Sequence, residues 1–272
     1  MKKQKLCIFA GGGEFPELAI QKAFEKNFDV YVVGFTNFFD KSVLKKFPSV
    51  KFYDFHIGHI KKYLKVLKKE KIKKVFFIGK LYKHIIFKER KFDLLAVKLL
   101  LSLKDKSDYS ILSKFVELFK NEGISVISQK YLFSDFLCPS GFVTKLKLKK
   151  KDIEIAEWGY SIGKSVANLD IGQSLIINNK TVISVEGIEG TDNMIRRSKK
   201  FIFEKNNAFF IKVARKKYDP RFDLPTVGIT TVKELFKIGV KNIVLESNVV
   251  LMPQYEKIIE FANKNKMCIL GI

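Results

Sequence analysis

The chain has 272 residues, 47% of them hydrophobic, and a formal net charge of +23. This length and apolar content suit one large or two ordinary domains with a full core, so a globular protein is expected. No apolar run reaches the roughly 18 to 20 residues of a spanning helix, and the positive excess favours anionic partners: nucleic acid, an anionic membrane surface or phosphorylated substrates. Most of the excess is lysine, scattered as in Lys61-Lys62, Lys68-Lys69 and Lys73-Lys74 with no dense tract. Biased codon usage explains such scatter as well as a functional surface does. Arg90, Arg196, Arg197, Arg215 and Arg221 are more informative, because a guanidinium makes bidentate phosphate contacts and lysine does not.

Met1-Lys-Lys-Gln-Lys5 opens like a secretory signal, but the apolar stretch over 6–10 is too short for one and Gly11 to Gly13 end it. The expectation is a first strand and a cytoplasmic protein. Cys7, Cys138 and Cys268 form no CxxC or Cys/His cluster, which argues against zinc and suits a reducing compartment.

In chain order, the spacing predicts a strand over 6–10, a helix over 16–25 and a strand over 30–33. A helix over 57–69 follows, with Ile60, Tyr63, Leu64 and Leu67 on one face, then a strand over 75–78. Helices over 92–103 and 108–120 and a strand over 124–127 complete the first half. Strands alternating with helices argue for a parallel sheet. The pattern weakens over 129–142, around Pro139 and Gly141, and the domain boundary is placed there, giving domains 1–134 and 135–272. The second half predicts helices over 153–168, 191–200, 230–238 and 253–264. Its strands are expected over 174–177 and 182–185, joined by a turn at Asn178-Asn-Lys180, and over 208–214, 243–245 and 267–270. The fold class is two-domain α/β: an N-terminal Rossmann-like parallel sheet and a C-terminal α/β domain with an antiparallel hairpin.

Gly11-Gly-Gly-Glu-Phe-Pro16 joins a strand to a helix. It is either a tight turn or a phosphate cradle made from loop amides and the helix N-terminus. The dinucleotide fingerprint needs a third glycine where Pro16 stands, and the second strand lacks a nearby acidic ribose ligand, so nicotinamide binding is disfavoured. Glu186-Gly-Ile-Glu-Gly-Thr-Asp192 crowds three acids around two glycines at a strand end, and Met194-Ile-Arg-Arg197 follows one turn into a helix. Thr191 or Asp192 can cap that helix, while acids with arginines close behind also suit a phosphate or a metal. Asp219-Pro-Arg-Phe-Asp-Leu-Pro-Thr-Val-Gly228 holds two carboxylates and an arginine on a loop stiffened by prolines, a setting for metal-assisted phosphate chemistry. His56, His59 and His84 form no metal-binding pattern.

In family order, several segments resemble the LpxI-type UDP-2,3-diacylglucosamine pyrophosphatases. They are Ala10-Gly-Gly-Gly13 with Pro16, Lys106-Ser-Asp-Tyr-Ser-Ile-Leu112, Leu169-Asp-Ile-Gly-Gln173, the run from Val185 to Arg197, Arg221-Phe-Asp-Leu-Pro-Thr-Val-Gly228 and Ile269-Leu-Gly-Ile272. The resemblance implies hydrolysis of the pyrophosphate of UDP-2,3-diacylglucosamine, water attacking the α-phosphorus with help from Mg²⁺. The products are UMP and 2,3-diacylglucosamine 1-phosphate (lipid X), in lipid A synthesis at the inner face of the cytoplasmic membrane. It also implies a homodimer, a lipid held between two α/β domains, and no nucleic-acid partner.

The family's essential aspartate corresponds to Asp223, expected as Mg²⁺ ligand or orienter of water, with Glu189 and Asp192 completing the metal site. Arg221 and Arg197 would neutralise the pyrophosphate. Gly11, Gly12, Gly13, Asp108, Gln173 and Thr191 would contact substrate. Two departures stand out: Lys106-Ser-Asp-Tyr109 lacks an acid where the family has Lys-Gly-Asp-Asp, and Lys83-His84 replaces Arg-Pro. The rival readings are a nucleotide- or dinucleotide-binding oxidoreductase and a basic membrane-surface or nucleic-acid binder.

Overall fold

Apolar runs too short to be helices, each followed by an amphipathic segment, build the first half of the chain. The computed structural model describes residues 3–81, 91–103 and 108–272, and the chain divides into two units, Met1–Leu132 and Phe133–Ile272. The first unit contains β1 (Lys5–Ala10), α1 (Phe15–Glu25), β2 (Asp29–Phe35), β3 (Lys51–Phe55), α2 (Ile60–Lys69) and β4 (Lys74–Ile78). It continues with α3 (Leu94–Leu101), α4 (Asp108–Asn121), β5 (Ser125–Val126) and α5 (Gln129–Leu132). All strands pair in parallel, in the order β3-β2-β1-β4-β5. β1 and β2 are almost wholly buried, as strands covered by helices on both faces must be. Phe9, Tyr31 and Phe77 share one core with Tyr63 of α2, Leu99 of α3 and Phe119 of α4.

β3 is absent from the sequence-based expectation. Lys51-Phe-Tyr-Asp-Phe55 sits at the sheet edge, bonded only to β2, and its lysine and aspartate reach solvent. An edge strand needs no apolar run, so periodicity gives little sign of it.

The second unit comprises β6 (Gly141–Phe142), α6 (Lys150–Asn168), β7 (Ser174–Asn178), β8 (Thr181–Val185), α7 (Thr191–Ser198) and β9 (Ala208–Lys212). α8 (Ile229–Ile238), β10 (Asn242–Leu245), α9 (Tyr255–Lys264) and β11 (Cys268–Gly271) complete it. Its sheet runs β6-β11-β10-β9-β7-β8. β9, β10 and β11 are parallel, whereas β6, β7 and β8 pair antiparallel to their neighbours. The expected hairpin is β7–β8: Asn179 and Lys180 have φ of 50° and 42°, the left-handed pair that a two-residue turn between twisted strands requires. α6 lies directly on this sheet. A Cβ on Gly159 would stand 2.7 Å from Ile177 Cδ1 and 2.9 Å from Ile211 Cδ1, so glycine lets the helix approach and fixes Lys164, one turn on, beside the end of β9.

Candidate active site

The glycine loop of the first unit is spent largely on its own backbone. Gly11 N–H donates to Ile78 O at 2.8 Å and Gly12 N–H to Lys80 O at 2.9 Å, while Lys80 N–H returns to Gly12 O at 2.8 Å. A Cβ on Gly11 would lie 2.7 Å from Lys80 O. Glycine at 11 therefore answers the close pass of residues 79–80, and two amides expected to cradle phosphate are already paired. Gly13 differs, with φ of +92° and open space where a Cβ would be. Lys83, His84, Arg90 and the start of the Lys106-to-Leu112 segment lie outside the described residues, as does the side chain of Asp108 at the head of α4.

In the second unit, register brings several polar side chains to one edge of the sheet. Ser174 opposes Lys212, Leu175 opposes Val185, and Leu245 opposes Lys212, so the start of β7 and the ends of β8, β9 and β10 share that edge. Lys212 is only 6% exposed. Its Nζ donates to Thr191 Oγ1 at 2.8 Å and approaches Glu186 Oε2 at 3.5 Å. Glu186 also accepts from Ser174 Oγ at 2.6 Å and from Thr191 Oγ1 at 2.6 Å. Burial pushes the Glu186 carboxyl upward, but Lys212 and the two hydroxyls outweigh it and hold the group below the usual glutamate range. Burial pushes the Lys212 ammonium down, against the pull of Glu186 and Asp192. Gly172 makes this packing possible, since a Cβ there would sit 2.0 Å from the Glu186 carbonyl oxygen.

A second cluster fixes the loop that leaves β9. Lys164 Nζ donates to Ala214 O at 2.7 Å and to both oxygens of Glu246 at 2.8 and 2.9 Å, while Ala214 N–H donates to Glu246 Oε2 at 2.7 Å. Next in sequence, Arg215 donates from Nε and Nη2 to Asp223 Oδ2 at 3.1 and 2.7 Å, and from Nη1 to Asp170 Oδ1 at 3.1 Å. Burial lifts the Asp223 carboxyl above the ordinary aspartate range despite Arg215, and the charges of Asp170 and Asp219 add to the rise. Among the described residues, Asp223 Oδ1 takes no hydrogen bond. A half-buried carboxylate with raised basicity, one oxygen anchored and the other open, can orient water or accept its proton.

The other expected site residues are placed differently. Asp219 accepts from Arg221 N at 2.9 Å and from its Nε and Nη2 at 2.9 and 2.6 Å, so it shapes the turn and holds the guanidinium expected to meet phosphate. Arg197 donates to Glu189 Oε1 at 2.7 Å and to Val185 O at 2.6 Å. Asp192 accepts from Thr231 Oγ1 at 3.3 Å. Gln173 contributes its carbonyl to Val213 N–H at 2.9 Å, which ties β7 to β9.

Among the described residues, no three His, Cys, Asp or Glu side chains converge as a cage for an ion. Asp223, Asp192 and Glu189 are each engaged by a different partner: Arg215, Thr231 and Arg197. This donor set does not fit a protein-held Mg²⁺.

Sequence reasoning also missed Lys212, Arg215, Lys164 and Glu246 as site residues. Lys212 did leave a sign: a lone lysine inside Phe209-Phe-Ile-Lys-Val-Ala214 has no solvent-facing place if the run is a buried strand.

Two α/β units, the second carrying a network of paired acids and bases at one edge of its sheet, define a two-domain α/β protein with a polar, phosphate-compatible site. Family models agree with that division, matching the LpxI N-terminal domain over residues 5–136 and the LpxI C-terminal domain over residues 139–270. The chain belongs to the LpxI family. It is 28% identical to the UDP-2,3-diacylglucosamine pyrophosphatase LpxI of Caulobacter vibrioides over 280 residues, covering 99% of this chain and 98% of that one.

Proposed function

We propose that the chain hydrolyses the pyrophosphate bond of UDP-2,3-diacylglucosamine, the substrate and reaction that the name of its Caulobacter relative gives, and that the products are UMP and 2,3-diacylglucosamine 1-phosphate. The observation that carries the reading is Asp223, raised in basicity by burial, held through one oxygen by Arg215 and open at the other. In the proposed mechanism this carboxylate takes a proton from the attacking water. Substrate phosphates displace the acids that hold the cations. The Arg197–Glu189 pair is exposed and readily exchanged, which frees a guanidinium for bidentate contact. Arg221 would need Asp219 to yield in the same way. Lys212 and Thr191 hold their positions through Glu186 and supply a buried cation and a hydroxyl near the developing charge. Mg²⁺, where the reaction uses it, would arrive on the substrate's phosphate oxygens, because hard cations commonly bind through phosphates with few protein ligands. The lipid substrate and the lysine excess support work at the inner face of the cytoplasmic membrane.

The test is product analysis with purified protein, UDP-2,3-diacylglucosamine and ¹⁸O-water. UMP release supports pyrophosphate cleavage, whereas UDP release or no turnover overturns it. Attack at the α-phosphorus puts the label in UMP. Label in the sugar phosphate moves the attack to the β-phosphorus with the same two products.

A further inference from the structure

Helices α2 and α3 begin at one shared carboxylate. Asp93 caps α3 by accepting Ala96 N–H on Oδ1 at 2.9 Å, and its Oδ2 accepts Lys61 N–H at the head of α2 at 2.7 Å. Asp93 N–H donates to Gly58 O at 3.0 Å, and Gly58 is glycine because a Cβ there would meet Lys91 O at 2.5 Å. The two helices thus start side by side, and both pack inward on the same core.

Their outer faces are unlike. α2 is ordinary in pattern: Tyr63, Leu64 and Leu67 point in, while Lys61, Lys62, Lys65, Lys68 and Lys69 point out. A shallow groove of about 470 Å³ runs along Lys61, Leu64, Lys65, Lys68 and Lys69. Among the described residues, the acid salt-bridged to these lysines is Glu122, with Lys68 at 2.6 Å. α3 breaks the rule for a soluble helix. Ala96 and Leu99 face the core, yet Leu94, Val97 and Leu101 are 71%, 41% and 81% exposed. Positions 94, 97 and 101 form one stripe at helical spacing, with Lys98 beside it.

We propose that the outer sides of these two neighbouring helices dock together on an anionic lipid bilayer, the α3 stripe entering the headgroup layer and the α2 lysines meeting lipid phosphates. The charge selects this occupant. An apolar stripe beside a row of lysines is the composition that binds anionic interfaces, through buried apolar area and electrostatic attraction together. A second copy is a poorer match, since a twofold contact sets a patch against itself and would bring lysine row towards lysine row. The surface contains none of the residues assigned to hydrolysis, so its test is independent of the reaction.

The experiment is flotation of the full-length protein with vesicles of phosphatidylcholine alone, or with about 30 mol % phosphatidylglycerol, at low and high salt. Binding should require the anionic lipid and weaken with salt. Leu94→Ser/Leu101→Ser should lower it about tenfold. Lys61→Gln/Lys65→Gln/Lys69→Gln should lower it by about fivefold per lysine. Both variants should hydrolyse a short-chain, water-soluble substrate analogue at the wild-type rate. The lysine variant carries the test alone if the leucine variant does not fold. Undiminished vesicle binding in the variants, or equal binding to both vesicle types, overturns the proposal. So does a leucine variant that changes the sedimenting species of a protein with no vesicle affinity, which would make the face a contact between copies.

Discussion

Arg215 holds Asp223 by one oxygen, Nη2 to Oδ2 at 2.7 Å, and the other oxygen takes no hydrogen bond among the described residues. Burial, opposed by Arg215, raises the Asp223 pKa. An acid raised in the folded state favours folding most below its unfolded pKa, and that contribution is lost as pH rises through the raised value. At neutral pH the ionised group therefore opposes folding while serving the reaction. Asp223→Asn should keep or raise Tm and reduce UMP release by at least about 100-fold. A variant with wild-type turnover and a lower Tm would reverse both assignments.

Arg215→Gln separates charge from position. Removing the guanidinium leaves burial and the charges of Asp170 and Asp219 unopposed, so Asp223 should become still harder to ionise. The acid limb of kcat/KM should already lie above the ordinary aspartate range in the wild type and move to higher pH in Arg215→Gln. An acid limb that stays in place would show that another group titrates.

Much of this arrangement was legible in the sequence, for identifiable reasons. Buried strands such as β1 and β9 announce themselves as apolar runs, and the hairpin by Asn178-Asn-Lys180. The segments around Glu186 and Asp223 were found because acids, glycines and prolines cluster there locally. The pairings were not found. Arg215 meets Asp170 across 45 positions and Lys164 meets Glu246 across 82, and a linear reading has no term for such contacts. Cations expected to face substrate, Arg197 and Arg221, turned out to be held by acids only a few positions away, Glu189 and Asp219. Gly11 and Gly172 read as loop glycines, yet each is required by a backbone that passes from elsewhere in the chain.

The Glu186–Lys212 pair makes a stability prediction. Lys212→Met would leave a largely buried carboxylate without its cation and should cost about 3 to 5 kcal/mol. Glu186→Gln/Lys212→Met should recover much of that loss, because neither charge is then stranded. A double-mutant cycle by urea denaturation measures the coupling; additive losses would show that the pair does not act as a unit. The Glu186 carboxyl is held low, so its contribution is present above its unfolded pKa and lost as pH falls through the folded value.

Gly172→Ala tests the close approach to Glu186 without touching a charge. Its Cβ would fall 2.0 Å from a backbone carbonyl oxygen, which no side-chain rotation relieves. A loss of about 1 to 3 kcal/mol is expected as the 168–173 loop shifts. Because Asp170 lies on that loop and pairs with Arg215, turnover should fall as well. Unchanged Tm and turnover would show that the loop moves aside freely.

Magnesium offers the last test. Among the described residues no three metal-ligating side chains converge, and the expected ligands Asp223, Asp192 and Glu189 are each engaged by a different neighbour. Mg²⁺ requires near-octahedral oxygen ligands, and sites with few carboxylates draw the rest from water and phosphate. Titration of Mg²⁺ into ligand-free protein should therefore give no measurable heat at micromolar concentrations. The same titration with UDP present should give binding, because the nucleotide brings the missing phosphate oxygens. Saturation of the ligand-free protein at micromolar Mg²⁺ would instead demand a preformed protein site and restore the role first expected for the three carboxylates.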